Sequence, residues 1–406
     1  NAKFHDGAPL TSADVKFTFD VARDPPANIV SIRKNLLSAI EDIQVPDPYT
    51  VRMVLKYPSP ALIPTLATGY FLIVAKHTME KEGDLKRTIN GSGPFKFKNQ
   101  VKGVSVELVK NENYHVKGRP YLDGIKYFTV PDESTRYAYL RSGQIMYWDN
   151  LSGTLARRAE KEFGDKITIL SKPSYIGESF TFNAANKPFD DIRVRKALIM
   201  SIDRQEAVKV ISDGDGAIAG LQPSDVWGLP IAEIEKIPGY GKDMDANRAE
   251  AKKLLAEAGH GGGLSITIMT RKASTTNEAR AVFMADQFSK VGVTAKIDVK
   301  ETAAYFDALN KRNFAVATMS MESSANDPDH FFGDAHTCNS DRNYSGVCSP
   351  EADALFRQQS GALDPAERKR IVNQLERAVL AGYGMEVLYF RIKYIAIAKS
   401  IRNLVM

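Results

Sequence analysis

The chain has 406 residues, of which 43% are hydrophobic and 25% charged, an ordinary globular composition, and its length predicts more than one core or one core with inserted domains. The formal net charge is only +5, and the basic residues are dispersed among acidic neighbours, which argues against a nucleic-acid-binding surface. No run of about 18 apolar residues occurs, so no transmembrane helix is predicted.

Four helix starts can be identified from polar side chains that typically accept a hydrogen bond from the first helical turn. The segments 11–14 and 203–206 both match the capping-box pattern, in which an acid follows the cap residue three positions later. Asp245 and Asp364 open two more helices. Apolar residues then recur on one face of three of these helices: Val15, Phe19, Ala22; Ala251, Leu254, Leu255, Ala258; Ile371, Val372, Leu375, Val379.

Two strands are predicted in the last third of the chain. Residues 293–299 alternate between apolar and polar side chains, the pattern of a strand with one buried face. Residues 314–321 are apolar on both faces, which places that strand inside a sheet. Each strand follows a helical segment, within residues 276–299 and 303–321, so we expect a β-α-β unit with parallel strands in an α/β fold.

Four blocks of sequence carry a resemblance to a known protein family. They are residues 4–17 (FHDGAPLTSADVKF), 91–95 (GSGPF), 188–204 (PFDDIRVRKALIMSIDR) and 245–259 (DANRAEAKKLLAEAG). In order and in spacing they resemble the signature blocks of the extracellular solute-binding proteins of family 5. Proteins of this family capture peptides, nickel chelates and other ligands for ABC importers.

The resemblance implies an α/β fold of the large periplasmic-binding-protein type, with two lobes, an extra subdomain and a ligand cleft between the lobes. Relatives continue beyond both ends of this sequence, so we expect a fragment that lacks both ends of lobe I and aggregates in isolation. The implied boundaries are 1–182 and 386–406 for lobe I, with the extra subdomain at 11–90, and 183–385 for lobe II. The chain would cross between the lobes near residues 179–183 and 386–390.

The function implied by the resemblance is that of the substrate-binding component of an ABC importer. It would capture a peptide or another carboxylate-bearing small solute and deliver it to a membrane permease. We expect a monomer without enzyme activity, cofactor, metal or nucleic-acid partner, located in the periplasm or outside the cell, with or without a lipid anchor. The alternatives are a binding protein for an oligosaccharide or a metal chelate, a peptide-sensing receptor module, and a periplasmic hydrolase on a similar fold. The hydrolase is disfavoured because the sequence has no Gly-x-Ser-x-Gly nucleophile elbow.

The resemblance also implies two residues of the ligand site. Dipeptide-binding relatives look as if they hold the ligand carboxylate with an arginine and the ammonium group with an aspartate. Ungapped alignment on residues 292–293 places the arginine at Arg271 and the aspartate at Ser324. The carboxylate clamp is therefore retained, since a guanidinium can bind a carboxylate through two hydrogen bonds. The ammonium clamp is lost unless Asp327 or Glu322 replaces it, which puts recognition of a free α-amino group in doubt.

The other candidate ligand contacts fall into a polar and an aromatic group. Polar side chains at the end of a predicted strand would contact the ligand: Ser324, Asn326 and Asp327. Aromatic side chains would line the pocket with large contact areas: Trp148, Trp227 and Tyr389. Simpler alternatives remain open, namely that Arg271 is a surface residue beyond a strand and that Asp327 belongs to an ordinary Asp-Pro turn.

Cys338 and Cys348 are the only cysteines, ten positions apart. Two neighbouring cysteines fit one local disulfide in an oxidising compartment, and dipeptide-binding relatives look similar here, with a cysteine pair around an Asn-Tyr-Ser segment. The alternative is two free buried thiols. A metal site is not expected, because two cysteines at this spacing supply too few ligands and the six histidines form no metal motif.

Overall fold

The structure, a computed structural model, describes residues 1–27, 31, 33–85, 87–224, 226–272, 275–323 and 325–404. It divides into two compact units, Asn1–Pro58 with Leu62–Ile145 and Ser59–Ala61 with Met146–Met406. Within the described ranges, no helix has both the length and the apolar character needed to cross a bilayer. The lobe and subdomain boundaries expected from the sequence remain predictions.

The first unit is built from short helices and two antiparallel sheets. Its first helix begins after Thr11, whose backbone N–H donates to the Asp14 carboxylate at 2.9 Å, as expected for a capping box. The helices are α1 Ser12–Arg23, α2 Leu62–Leu66, α3 Lys76–Glu82, α4 Glu133–Ser142 and a 3-10 turn Lys34–Leu37. The strands are β1 Ile40–Asp47, β2 Thr50–Leu55, β3 Phe95–Val101, β4 Ser105–Lys110 and β5 Gly124–Phe128. β1 pairs with β2, and β3, β4 and β5 form a three-stranded sheet.

One seven-stranded sheet organises the second unit. Its strands are β6 Tyr147–Leu151, β7 Ile167–Phe182, β8 Gly216–Ala217, β9 Leu264–Arg271, β10 Val293–Lys300, β11 Val316–Glu322 and β12 Met385–Ala398. Their order is β10-β9-β11-β7-β12-β6, with β8 paired to β12. The helices are α5 Gly153–Phe163, α6 Ile192–Ser201, α7 Arg204–Ile211, α8 Ile231–Ile234, α9 Met244–Glu257, α10 Thr275–Ser289, α11 Thr302–Asn310, α12 Pro350–Gly361 and α13 Pro365–Leu380, with a π-helical turn Asp329–Gly333.

The predicted β-α-β unit is present in this sheet. β9 pairs in parallel with β10 along its whole length, up to the pair Arg271–Lys300, and in parallel with β11. β7 runs antiparallel to both β11 and β12. The carboxyl ends of the three parallel strands therefore share one edge, the edge at which open α/β sheets bind ligands.

Helices cover both faces of this sheet because side chains alternate between the faces along a strand. Ile268 of β9 packs on one face with Met284 of α10. Met269 belongs to a second apolar cluster, which contains Leu309 of α11. Burial on both faces explains why the strand predicted at 314–321 is apolar throughout.

The expected disulfide joins Cys338 to Cys348, with an S–S distance of 2.00 Å. The segment between the cysteines is also held by the Asn343 side chain, which donates to the Val347 carbonyl at 2.8 Å and to the Thr337 carbonyl at 3.2 Å. The prediction of one local disulfide is confirmed, and the alternative of two free thiols is wrong.

Candidate ligand-binding site

Arg271 is the last residue of β9 and lies at the carboxyl edge of the parallel strands. Its guanidinium carbon lies 5.4 Å from the centre of the Phe306 ring, on α11. The side chain is half-buried, and it makes no hydrogen bond or ion pair with any residue in the described ranges. Its positive charge is therefore available to an anionic group that approaches this edge.

A buried ion cluster lies beside this edge. The Glu178 carboxylate of β7 is bound by the guanidinium groups of Arg280 on α10 and Arg391 on β12. The Ser320 hydroxyl donates to the same carboxylate at 3.0 Å. Burial lowers the pKa of the Arg280 guanidinium, while the charge of Glu178 acts in the opposite direction. The cluster links β7, β11, β12 and α10 through one carboxylate.

The same cluster fixes the backbone of Arg271. Arg280 donates to the Asn277 side-chain oxygen at 3.0 Å, and the Asn277 amide group donates to the Arg271 carbonyl at 3.1 Å. The Thr270 hydroxyl donates to the Asn277 carbonyl at 3.0 Å. The first turn of α10 is therefore hydrogen-bonded to the end of β9, which limits the positions that the Arg271 side chain can reach.

Sequence reasoning did not identify Glu178, Arg280 or Arg391. The sequence around each residue indicates a buried position, but it does not identify the residue that pairs with it. Glu178 lies in the last part of a strand, where six consecutive residues are buried, and Arg280 falls on the inward face of a helix. Charged residues at such positions are rarely fully buried unless they are paired, but the sequence does not say with which partner.

Trp227 is held in place by three contacts within the second unit. Its indole N–H donates to the Asn326 carbonyl at 3.1 Å. Its own carbonyl accepts a hydrogen bond from the Asn373 side chain at 2.8 Å. The Arg368 guanidinium lies 5.0 Å from the centre of the indole ring, within cation–π distance. The half-buried ring is therefore fixed from two sides.

The predicted polar contacts have roles within the protein. Both carboxylate oxygens of Asp327 accept hydrogen bonds from Arg368 at 2.8 Å, and both side chains are buried. Asn326 contributes its backbone carbonyl to Trp227. Ser324 lies outside the described residues. The structure thus brings Trp227, Asn326 and Asp327 together, and their contact with a ligand remains a prediction.

Trp148 and Tyr389 are buried aromatic residues on neighbouring strands. Tyr389 is 1% exposed and pairs with Glu178 across β7 and β12, and burial raises its pKa to about 12. Trp148, which is 5% exposed, lies on β6, the strand at the end of the sheet. Four strand spacings separate β6 from the strand of Arg271, which corresponds to about 19 Å. The ligand contacts predicted for Trp148 and Tyr389 remain predictions.

A buried carboxylate shapes the loop that carries Trp227. Glu376 of α13 is completely buried and accepts three backbone N–H groups, from Leu221 at 2.7 Å, Gln222 at 3.2 Å and Leu229 at 2.8 Å. A Cβ atom on Gly220 would collide with this carboxylate. The loop therefore folds around the side chain of Glu376.

The free energy of unfolding is expected to fall as the pH rises from about 4.5 to about 7, partly because of Glu376. Burial raises its pKa from 4.5 to about 7 despite the three backbone donors. Its contribution to stability is thus fully present below 4.5 and is lost as the pH rises through about 7. The difference between the two values corresponds to at most about 3 kcal/mol. Urea unfolding across this pH range measures the fall in the free energy of unfolding.

The matched variant for this pH dependence is Glu376→Gln, which cannot ionise and should remove part of the fall in stability. Burial also raises the pKa of Glu386 to about 7, so that a fall of the same sign should remain in the variant. Glu367→Gln on the same helix is the control, because Arg370 lowers the pKa of Glu367. An unchanged pH dependence in Glu376→Gln would contradict the assignment.

Comparisons with known proteins place the chain in a family. The sequence model described as bacterial extracellular solute-binding proteins, family 5 Middle, matches residues 1–343. The oligopeptide-binding protein AppA of Bacillus subtilis is 29% identical over 99% of this chain and 76% of its own length. The glutathione-binding protein GsiB of Salmonella typhimurium is 30% identical over 77% of this chain, and the match covers 60% of that relative's length.

A solved structure agrees with the fold. The binding protein AgaA from A. tumefacien R10, in complex with agropinic acid, has a TM-score of 0.83 and 26% sequence identity, and the match covers 98% of this chain and 80% of that chain. The family resemblance of the four sequence blocks and the α/β fold class of the large periplasmic-binding-protein type that it implied are confirmed. The chain is therefore a member of the bacterial extracellular solute-binding proteins of family 5.

Proposed function

We propose that the protein is the substrate-binding component of an ABC importer. It captures a peptide or another carboxylate-bearing solute, releases it to a membrane permease, and makes or breaks no bond. It acts as a monomer on the outer side of the cytoplasmic membrane, in the periplasm or outside the cell. Support comes from relatives whose names describe binding of oligopeptides and glutathione. It also comes from the structure of the similar protein AgaA in complex with agropinic acid.

The observation that carries this proposal is the position of Arg271. Its guanidinium group lies at the carboxyl edge of the parallel strands, steadied by the ring of Phe306. It has no carboxylate partner within the described part of the chain. A planar guanidinium binds a carboxylate in a fixed orientation through two parallel hydrogen bonds. A solute with a carboxylate group thus fits this edge better than a neutral sugar does.

Replacing Arg271 with alanine is expected to weaken the binding of carboxylate ligands by about 10- to 100-fold, because a hydrogen bond to a charged group contributes about 1.5–3 kcal/mol. Thermal-shift screening and calorimetry would compare dipeptides, longer peptides, N-acylated peptides, opines, oligosaccharides and nickel chelates. A ligand that binds only the native state raises Tm. N-acylated peptides should still bind, because Ser324 stands where an ammonium clamp is expected.

Lys272→Ala is the matched control for Arg271→Ala. It removes a neighbouring positive charge that pairs with Glu301 at the surface, at 3.3 Å. The control should bind carboxylate ligands like the wild type. Binding restricted to sugars or nickel chelates and unaffected by Arg271→Ala would contradict a carboxylate ligand. Chemical conversion of a bound ligand would favour the hydrolase alternative.

A further inference from the structure

The cluster around Glu178 contains more positive than negative charge. Glu178 and Arg280 have fully buried side chains, whereas the side chain of Arg391 is 34% exposed. Two guanidinium groups share this one carboxylate, and Ser320 adds only a hydroxyl group. Neither arginine forms an ion pair with another carboxylate of the described chain. One positive charge is therefore left without a counterion in a partly buried place, where an unpaired charge is costly.

The exposed end of Arg391 carries this unbalanced charge in a defined orientation. Its Nε–H donates to the Glu178 carboxylate, which fixes the plane of the guanidinium group. Its backbone carbonyl is held by the Ser174 hydroxyl at 3.0 Å. The two Nη groups make no hydrogen bond with a residue in the described ranges. An arginine oriented through Nε by a buried carboxylate presents its remaining N–H groups to an incoming anion.

Arg391 lies at the same edge of the sheet as Arg271. Glu178 on β7 lies between two paired residues, Ser320 on β11 and Tyr389 on β12. These three residues therefore lie at the same level of the sheet. Ser320 and Arg391 both lie toward the carboxyl end of the parallel strands. Three strand spacings separate β9 from β12, which corresponds to about 14 Å. Arg271 contacts the ring of Phe306 on α11, whereas Arg391 binds Glu178, the carboxylate that also binds Arg280 of α10. The two arginine side chains therefore approach this edge from opposite faces of the sheet.

We infer that Arg391 is a second anion-binding residue of the proposed site and that the preferred solute carries two carboxylates. One carboxylate binds Arg271 and the other binds the exposed Nη groups of Arg391. The inference rests on the proposed function, and it narrows the ligand class from carboxylate-bearing solutes to peptide-like dicarboxylates. Glu178 is a positioning residue in this arrangement, because it orients Arg391 and does not reach the ligand.

A matched pair of ligands tests the inference by calorimetry. N-acetyl-Ala-Glu carries two carboxylates, whereas N-acetyl-Ala-Gln has nearly the same shape and carries one. The wild type is expected to bind the first about tenfold or more tightly than the second, the range of one charge-assisted hydrogen-bonded contact. Arg391→Gln should remove this preference by weakening only the dicarboxylate. Arg391→Lys keeps the positive charge but loses the planar guanidinium group with its two Nη donors. This variant should therefore keep a reduced preference for the dicarboxylate ligand.

Lys393→Gln is the control, since it removes the same charge from the same strand, where Lys393 pairs with Asp149 at 3.6 Å. It should leave both affinities and their ratio unchanged. Melting curves establish whether each variant is folded. If Arg391→Gln does not fold, Arg391→Lys replaces it in the comparison of the two ligands. Equal binding of the two ligands by the wild type would overturn the inference. So would an equal loss of both affinities in the Arg391 variants, which indicates a structural role.

Glutarate, a dicarboxylate without a peptide bond, separates this inference from the proposed function. If no peptide binds but glutarate raises the Tm of the wild type and not of Arg391→Gln, the second anion site stands and the solute is a dicarboxylate without a peptide bond. If Arg271→Ala abolishes peptide binding while Arg391→Gln leaves the ligand ratio unchanged, the proposed function stands and the inference fails. If neither glutarate nor any carboxylate ligand binds, both are overturned.

Discussion

Replacing Glu178 with glutamine is expected to lower the free energy of unfolding by about 3–5 kcal/mol, the usual result of removing one partner from a buried ion pair. Glutamine has nearly the same shape but no charge, so the fully buried Arg280 would lose its counterion. Arg391 would lose the carboxylate that orients it as well. Urea unfolding at pH 7, followed by circular dichroism, measures the loss.

Two further variants show whether the charge of Glu178 is responsible. Glu322→Gln removes an exposed carboxylate from the neighbouring strand and should change stability by less than about 0.5 kcal/mol. Adding Arg280→Met to Glu178→Gln removes the unpaired charge and should recover part of the lost stability, because apolar replacements of whole buried pairs are often neutral. Additive losses in the double variant would contradict this explanation.

Replacing Arg368 with methionine is expected to destabilise the protein by a similar amount, about 3–5 kcal/mol at pH 7. Arg368 binds both oxygens of Asp327 and lies 3.3 Å from Asp329. The variant would leave the buried carboxylate of Asp327 and the half-buried carboxylate of Asp329 close together without a cation. Trp227, whose ring lies against Arg368, should shift its fluorescence. Urea unfolding and emission spectra measure the two effects.

The pH dependence of this variant distinguishes charge from packing. Burial, reinforced by the charge of Asp327, already raises the pKa of Asp329. Without Arg368 this pKa rises further, so protonation at acid pH would remove the repulsion and the destabilisation should shrink as the pH falls. Arg370→Met, at the exposed surface of the same helix, is the control and should be nearly neutral. A loss that is equal at pH 4 and pH 7 would indicate lost packing alone.

The sequence by itself determined the local elements and the family. The capping-box pattern at residues 11–14 indicated a helix start, which is present, because both the donor and the acceptor of a cap lie within one turn. The alternation over 293–299 and the apolar run over 314–321 predicted strands, because burial on one face or on both leaves its period in adjacent residues. The helical segment before each strand predicted that the strands run parallel. The cysteine pair was likewise close enough along the chain to be recognised.

Tertiary structure alone decided which charges meet. Glu178 and Arg391 are 213 positions apart, and only the sheet order places β7 beside β12. Asp327 could be placed from the sequence only near the end of a predicted strand, and the fold places its carboxylate against Arg368, 41 positions away. A burial pattern reports that a side chain is inside, but the identity of its partner depends on which strands and helices become neighbours. Coulombic pairing acts through space and leaves no period in the sequence.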